Sequence, residues 1–295
     1  MSQLVSTKKT SSIKRKKAIS KTTAYTALTV LSIIWIIPLI WMIIQSFAGP
    51  EGSKGKLFPT SFSFHWYAEL FTNETYPFWR WFLNTLVIAL ICLVLSTFFT
   101  IAMAYVMSRY RFKGRKKLQS LGMILGMFPG FMSMAAIYYI FKSLGMAGDV
   151  AWWKMLIALI LVYSGSAGLN YYVSKGFFDT VSKSLDEAAR IDGATNSQVF
   201  FKVILPLSKP IIVYTALMSF LGPWGDFIFS SYLLGNETAA WTVAVGLYRM
   251  ITKDPELYYN TFMAGAVIVA VPITALFLGL QRFFVEGITG GAVKG

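Results

Sequence analysis

Few side chains of this 295-residue chain could carry out catalytic chemistry. The chain has one histidine, His65, and one cysteine, Cys92, so it can form no internal disulfide and we expect no metal site. His65 lies outside the apolar segments, which excludes the Ser–His pair of an intramembrane serine protease. No two apolar segments each carry an aspartate, and no G-x-x-x-x-G-K-[ST] phosphate-binding loop is present. We therefore expect a protein that is not an enzyme and that holds no cofactor of its own.

One acidic residue, Asp226, lies deep within an apolar segment, in the run Gly222-Pro223-Trp224-Gly225-Asp226-Phe227. A charge at that depth is costly and is a functional candidate by default. Proline and glycine free backbone groups toward a cavity. Trp224 and Phe227 beside a carboxylate suit a sugar, which offers apolar ring faces and hydroxyl donors. Two interpretations stay open: the three residues line a substrate pathway, or Asp226 caps a broken helix end or pairs with another subunit.

The most informative polar segment lies between two apolar segments and contains two capping boxes, in which Ser or Thr is followed three residues later by Glu or Gln. They are Ser184 with Glu187 and Thr195 with Gln198. Gly193 stands where a glycine ends a helix, and Pro206 is placed to stop or kink the second helix. The pattern predicts two short helices, 184–192 and 195–205. Helices of this length are marginal in water, so we expect them to need a partner surface.

The same segment resembles the EAA-type loop of bacterial ATP-binding-cassette (ABC) importer permeases. The matching residues are Glu187-Ala188-Ala189, Gly193 and Val203-Ile204-Leu205-Pro206, with Val203 in place of the usual isoleucine. The resemblance implies that the first short helix docks in a cleft of a separate ATPase subunit and transmits its closure. The residues expected to couple to the ATPase are Glu187, Ala188, Ala189, Asp192, Gly193, Leu205 and Pro206.

The resemblance extends to the smaller permease subunit of maltose/maltodextrin importers, through Met127-Phe128-Pro129 and the tail from Gln281 to Gly295. It implies that residues 287–295, including Gly290, Gly291 and Lys294, reach the interface between two ATPase subunits. It also implies that the loop 235–260 contacts an external sugar-binding protein. The expected partners are thus an ATPase dimer that binds ATP and Mg²⁺, a second homologous permease, an extracellular or periplasmic sugar-binding protein and membrane lipid.

These residues must be positioned by apolar segments about as long as the roughly 20 residues that cross a bilayer. We predict an all-α polytopic membrane protein with six transmembrane helices and a cytoplasmic coupling-helix loop. The spans are expected near 25–46, 85–107, 118–141, 153–172, 211–234 and 261–284, with the coupling loop at 173–210. A basic tail (1–23) precedes this transmembrane domain (24–284), and a second tail (285–295) follows it.

The basic residues set the expected orientation. The net charge of +14 could suggest nucleic-acid binding, but the basic residues flank apolar segments, and we expect no nucleic-acid partner. With the N-terminus inside, the inner segments hold 20 Lys and Arg and the outer segments seven. Positively charged loops stay in the cytoplasm, so both termini are expected there, in a multi-pass protein of the cell membrane.

The function expected from these features is that of a permease subunit in an ATP-driven importer. The resemblance favours maltose or maltodextrin as the solute, with galacto- or raffinose-type oligosaccharides as the alternative. A secondary transporter without an ATPase is the second class considered. It would need coupling-ion ligands and usually more spans with internal repeats, whereas here a single acidic residue lies within a span.

Overall fold

The computed structural model describes residues 2–52, 56–127 and 130–292, with side chains for 21–52, 56–127 and 130–283. No β-strand forms in these ranges. The helices are α1 (Ser2–Ser46), α2 (His65–Thr72), α3 (Phe78–Arg109), α4 (Arg115–Met127), α5 (Gly130–Ser143), α6 (Trp152–Ala167), α7 (Tyr172–Thr180), α8 (Lys183–Ile191), α9 (Asn196–Leu207), α10 (Lys209–Gly225), α11 (Ile228–Leu234), α12 (Val243–Lys253) and α13 (Pro255–Ala292). The expected all-α fold is confirmed.

Three helices are long and apolar enough to cross a membrane by themselves. They comprise Lys21–Ser46 of α1, α3, and Pro255–Phe283 of α13. No side chain in the most apolar part of α1 is buried within the chain. In a membrane, this part of α1 therefore faces lipid or another subunit, whereas the last residues of the helix, Gln45 and Ser46, are buried, and Asn260 of α13 donates to the carbonyl of Gln45 at 2.8 Å.

Three further candidate spans are bent pairs of helices. The α4–α5 pair meets at residues 128–129, which lie outside the described residues, as do Phe128 and Pro129 of the expected sequence match. The α6–α7 pair bends by 40° and the α9–α10 pair by 82°. The described chain thus has three straight candidate spans, and up to six if each bent pair crosses once. The limits of the individual domains and spans stay predictions.

The fifth expected span, 211–234, is not a single helix. It divides into α10 and α11, because Asp226 leaves the helical conformation and accepts the backbone N–H of Phe229 through Oδ1 at 3.2 Å. A carboxylate that caps the start of a helix satisfies a backbone donor that would otherwise have no partner. The fourth expected span, 153–172, likewise ends early, at Ala167, and the small polar residues that follow form the bend before α7.

The central helix α3 organises two buried clusters. Its N-terminal half contributes Phe78 and Trp81 to a large apolar core shared with α6, α10 and α12. Gly246 of α12 packs directly on the ring of Trp81, where a Cβ would stand 2.0 Å from a ring carbon, so only glycine fits. The C-terminal half of α3 forms the second cluster with Phe178, Val199 and Ile204 beneath α8 and α9. This second cluster positions the predicted coupling loop.

Candidate functional site

The first short helix of the loop, α8, begins one residue earlier than the sequence pattern predicts. Ser182, rather than Ser184, is its cap: the Ser182 hydroxyl accepts the backbone N–H of Ser184 at 3.3 Å. Ser182 has an extended backbone, with ψ near 132°, whereas Ser184 is already helical. The predicted capping box of Ser184 with Glu187 is therefore wrong. The Glu187 side chain is exposed and does not cap the helix.

Gly193 ends α8, as predicted. Its φ of +84° is the left-handed conformation that side chains with a Cβ rarely adopt. The Ala194 N–H donates to Ala189 O at 2.9 Å and the Gly193 N–H to Arg190 O at 3.0 Å, the two bonds of a Schellman motif. The glycine thereby reverses the chain between the two short helices.

The second helix, α9, opens with the predicted capping box. The Gln198 N–H donates to Thr195 Oγ1 at 3.3 Å, and the Thr195 N–H donates to Gln198 Oε1 at 2.8 Å. Pro206, which is predicted to stop or kink this helix, lies one residue before its end at Leu207, and the chain turns at Ser208 and bends by 82° into α10. A π-helical segment, Val199–Ile204, ends two residues before the proline. Its wider turn accommodates the missing N–H of Pro206.

The outer surface of α8 is partly apolar. Leu185 and Ala188 are exposed, and Ile191 is 86 % exposed. Glu187 and Asp192 flank them, also exposed, whereas Ala189 is half-buried and packs on the second core cluster. Of the two alanines expected to couple to the ATPase, only Ala188 is therefore fully on the outer surface. A nine-residue helix with a large exposed isoleucine has the character of a docking surface.

A buried ion pair fixes α8 to the end of α3. Arg109 Nε lies 3.3 Å from Asp186 Oδ2, with side chains 2 % and 8 % exposed. Arg109 Nη2 also donates to the carbonyl of Val181 at 2.9 Å, just before the helix. Sequence reasoning missed this pair, because nothing in the pattern of α8 indicates that the residue before Glu187 points inward toward another helix.

A second polar contact holds the start of the loop. Ser108 donates to Asp179 Oδ1 at 2.6 Å, and Lys175 contacts Asp179 Oδ2 at the same distance. Burial raises the pKa of Asp179, but the hydrogen bonds from Lys175 and Ser108 outweigh it and the net pKa is lowered. Asp179 is therefore charged at neutral pH. The last two residues of α3, Ser108 and Arg109, thus hold the segments on either side of residue 182.

The three residues expected along a substrate pathway lie close together in sequence but have separate environments. Trp224 is buried against Phe82 in the main core. The ring of Phe227 packs on Tyr248 of α12, with centroids 4.1 Å apart. Asp226 Oδ2 accepts the hydroxyls of Tyr163 at 2.5 Å and Ser230 at 3.1 Å. The carboxylate is thus engaged with its own chain.

A polar groove lies beside this cluster, between α3, α6, α7 and α10. Its volume is about 480 Å³, and ten of its fifteen lining residues carry a hydroxyl or an amide. None of the lining residues is charged; the polar ones include Tyr163, Asn170, Tyr214 and Ser219. At membrane depth, such hydroxyls and amides favour contact with water or another subunit over contact with hydrocarbon. Sequence reasoning missed it because its hydroxyls come from four helices.

Comparison with known proteins decides the family. Residues 100–290 match the model of the family described as the binding-protein-dependent transport system inner membrane component. The chain belongs to this family.

Individual relatives agree with this assignment. The permease is 40 % identical over 227 residues to the maltodextrin transport system permease protein MalD of Streptococcus pneumoniae, covering 77 % of the permease and 78 % of MalD. It is 36 % identical over 240 residues to the galactooligosaccharides transport system permease protein GanQ of Bacillus subtilis, covering 81 % and 83 %.

Its fold resembles a crystal structure of a bacterial ABC transporter involved in the import of the acidic polysaccharide alginate. The TM-score is 0.72 at 22 % identity, covering 92 % of the permease and 98 % of that chain. The permease is thus a multi-pass membrane protein, and its relatives are permease subunits, which are not enzymes.

The expected tail contacts fall at the edge of the described permease. The backbone of α13 includes Gly290 and Gly291 and continues to Ala292, whereas Lys294 lies outside the described residues. The role of the tail stays a prediction.

Proposed function

We propose that this permease carries an oligosaccharide, with maltodextrin as the first candidate, through an importer driven by a separate ATPase. The observation that carries the proposal is the outward face of α8, with Glu187, Ala188 and Ile191 exposed while Asp186 is anchored inward to α3. The geometry fits a helix that another subunit grips from outside and that is joined rigidly to a membrane span.

The coupling step follows from this arrangement. A pair of ATPase subunits, which bind ATP and Mg²⁺, would hold α8 of this permease and the equivalent helix of a second homologous permease. When the ATPases close, α8 moves with them, and the Arg109–Asp186 pair carries that movement to α3. The two permeases then alternate between inward- and outward-facing states. ATP and Mg²⁺ act only on the ATPase; this chain supplies the mechanical link.

The polar groove supports a neutral, hydroxyl-rich solute. Its lining offers donors and acceptors without a fixed charge, which suits a sugar better than an ion or an amino acid. The names of the relatives favour maltodextrin and, as the second candidate, galacto-oligosaccharide. A secondary transporter fits less well, because Asp226, the acid expected within a span, is engaged with Tyr163 and Ser230 and would need other partners to bind a coupling ion.

The orientation belongs to the same proposal. The excess of Lys and Arg in the segments that include α8 and both termini supports a cytoplasmic location for them. The loop between α11 and α13 would then face the external binding protein. Reaction of single introduced cysteines with a membrane-impermeant maleimide checks this, and labelling of α8 from outside intact cells would contradict it.

The substrate assignment is tested by uptake in cells that lack this permease. We expect uptake of labelled maltotriose to fall to background and to return when the chain is expressed again, because the permease is the route for that solute. Uptake of a labelled galacto-oligosaccharide, assayed in parallel, should change little. If only the uptake of the galacto-oligosaccharide is lost, galacto-oligosaccharide replaces maltodextrin as the proposed solute. Unchanged uptake of every sugar would reject the proposal.

A further inference from the structure

An apolar cavity of about 970 Å³ opens on the side of the molecule where α3 meets α9 and α10. Its walls are formed mainly by aliphatic and aromatic side chains, such as Phe98, Val106, Phe201 and Ile212. Among its lining residues, Arg111 is the only one that carries a charge, and none is acidic. The cavity is therefore suited to a hydrocarbon chain and not to the solute.

A basic pocket of about 590 Å³ adjoins this cavity and shares Arg111 and Phe112 with it. Its other walls include Arg115, Lys116 and Lys117, in the first turn of α4. In the part of the chain that the structure describes, Arg111, Lys116 and Lys117 form no ion pair. Arg111 thus lines both pockets, and Lys116 and Lys117 line the basic one, so three cations without an ion-pair partner among the described residues lie beside the apolar cavity.

We propose that the two pockets together bind one anionic phospholipid, with an acyl chain in the apolar cavity and the phosphate group at Arg111, Lys116 and Lys117. Basic pockets at the cytoplasmic ends of spans suit anionic headgroups, and these cations lie on the side that the charge distribution assigns to the cytoplasm. An apolar helix from another subunit could fill the cavity, but it would leave the three cations without a counter-charge.

The site reaches the coupling loop and goes beyond the proposed transport function. Phe200 and Leu205 of α9 line the apolar cavity, and the Phe200 ring packs on Tyr105 of α3 with centroids 4.5 Å apart. A bound acyl chain would therefore pack against the π-helical segment that follows α8. Lipid occupancy would restrict how α9 moves against α3 and so would set how tightly the loop is coupled to the span.

The charge requirement is tested on the purified, delipidated transporter by native mass spectrometry during titration with phosphatidylglycerol or with phosphatidylcholine of the same acyl chains. We expect the wild type to retain one phosphatidylglycerol per permease and no phosphatidylcholine. The triple variant Arg111→Gln/Lys116→Gln/Lys117→Gln should need about a hundredfold more phosphatidylglycerol for half-occupancy, since each cation contributes about fivefold to the affinity. The control Lys142→Gln/Lys154→Gln/Lys253→Gln removes the same charge at the opposite side. Equal retention by the triple variant, or equal retention of phosphatidylcholine, would overturn the proposal.

Two further measurements separate the lipid from other occupants. Ala102→Trp fills the apolar cavity without removing a cation and should also weaken phosphatidylglycerol retention, by at least tenfold; unchanged retention would overturn the proposal. Displacement of the lipid by millimolar inorganic phosphate or glycerol 3-phosphate would show a phosphate site without an acyl chain. Disulfide cross-linking of Ala102→Cys to a second permease would show a protein helix in the cavity. Either of these last two results would overturn the proposal.

Discussion

Asp226 accepts hydrogen bonds from three groups of its own chain, the N–H of Phe229 and the hydroxyls of Tyr163 and Ser230. These bonds give the acid a local role at the break between α10 and α11. Tyr163, which donates to Asp226, also lines the polar groove. At the residue scale, the pathway is therefore expected to depend on neutral hydroxyls and amides.

Substitution of Asp226 distinguishes the two roles that the sequence leaves open. Asp226→Ala should destabilise the fold by about 2 kcal/mol, because it removes the bond to the Phe229 N–H and the acceptor shared by the hydroxyls of Tyr163 and Ser230, which then bond only each other. Asp226→Asn keeps a capping oxygen and should retain uptake within a few-fold. Thermal stability in detergent and sugar uptake are the measurements. An Asn variant that is inserted normally but has lost uptake would show instead that the charge acts on the solute.

The structural roles of some residues in the coupling loop could be predicted from the sequence, and those of others could not. Gly193 and the Thr195–Gln198 pair were predictable because caps are local: each depends on a few neighbouring backbone groups. Ser182 and Ser184 both could cap α8, and the choice depends on the extended backbone of the residues before the helix. The contact of Asp186 with Arg109 joins two distant segments and has no local signal.

At the scale of elements, α8 is held to α3 by the Arg109–Asp186 pair and by the shared apolar cluster beneath it. Arg109 Nε and Nη1 and Asp186 Oδ1 have no hydrogen-bond partner among the described residues, so the contact between the two side chains is an ion pair without a hydrogen bond. A buried pair with incomplete hydrogen bonding contributes little net stability, but removing one partner leaves a buried charge alone. The pair therefore sets how α8 is placed on α3 more than how stable the bundle is.

Single and paired substitutions test this link between the two helices. Arg109→Ala or Asp186→Ala should each lower the free energy of unfolding by about 3–5 kcal/mol, because an unpaired charge stays buried. Arg109→Met/Asp186→Leu should regain most of that stability while sugar-stimulated ATPase activity stays low, since the directional contact is lost. Denaturation of the purified protein and ATPase assays in proteoliposomes measure the two effects. Single variants within 1 kcal/mol of wild type would contradict a buried pair.

The breaks between helices could not be predicted from the lengths of the apolar segments. Apolar length indicated the spans, but α10 and α11 separate at a capping carboxylate, and α9 passes Pro206 through a π-helical turn. Both features depend on hydrogen bonds across a few residues and are invisible to average hydropathy. The polar groove lies beyond local prediction as well, because it forms only when α3, α6, α7 and α10 pack together.

At the scale of the whole molecule, the helical bundle exposes several surfaces that a single chain leaves uncovered. The apolar part of α1 is unburied, the polar groove is open, and α8 exposes Ile191 at 86 %. In the proposed function each of these surfaces would meet a different neighbour: lipid or a second permease, water and solute, and an ATPase subunit. The account therefore predicts that function belongs to the assembly, with α8 as the contact through which ATP-driven motion enters this chain.

The most direct test is copurification of the ATPase subunit with Ile191→Asp, together with its sugar-stimulated activity. Ile191 is exposed, so the variant should fold and insert normally while a charge disrupts the docking face. Leu144→Asp is the matched control, an exposed residue in the turn after α5 that the charge distribution places outside. We predict that Ile191→Asp loses the ATPase subunit and coupled activity, whereas Leu144→Asp retains both. Normal copurification and normal coupling in the Ile191 variant would contradict the account.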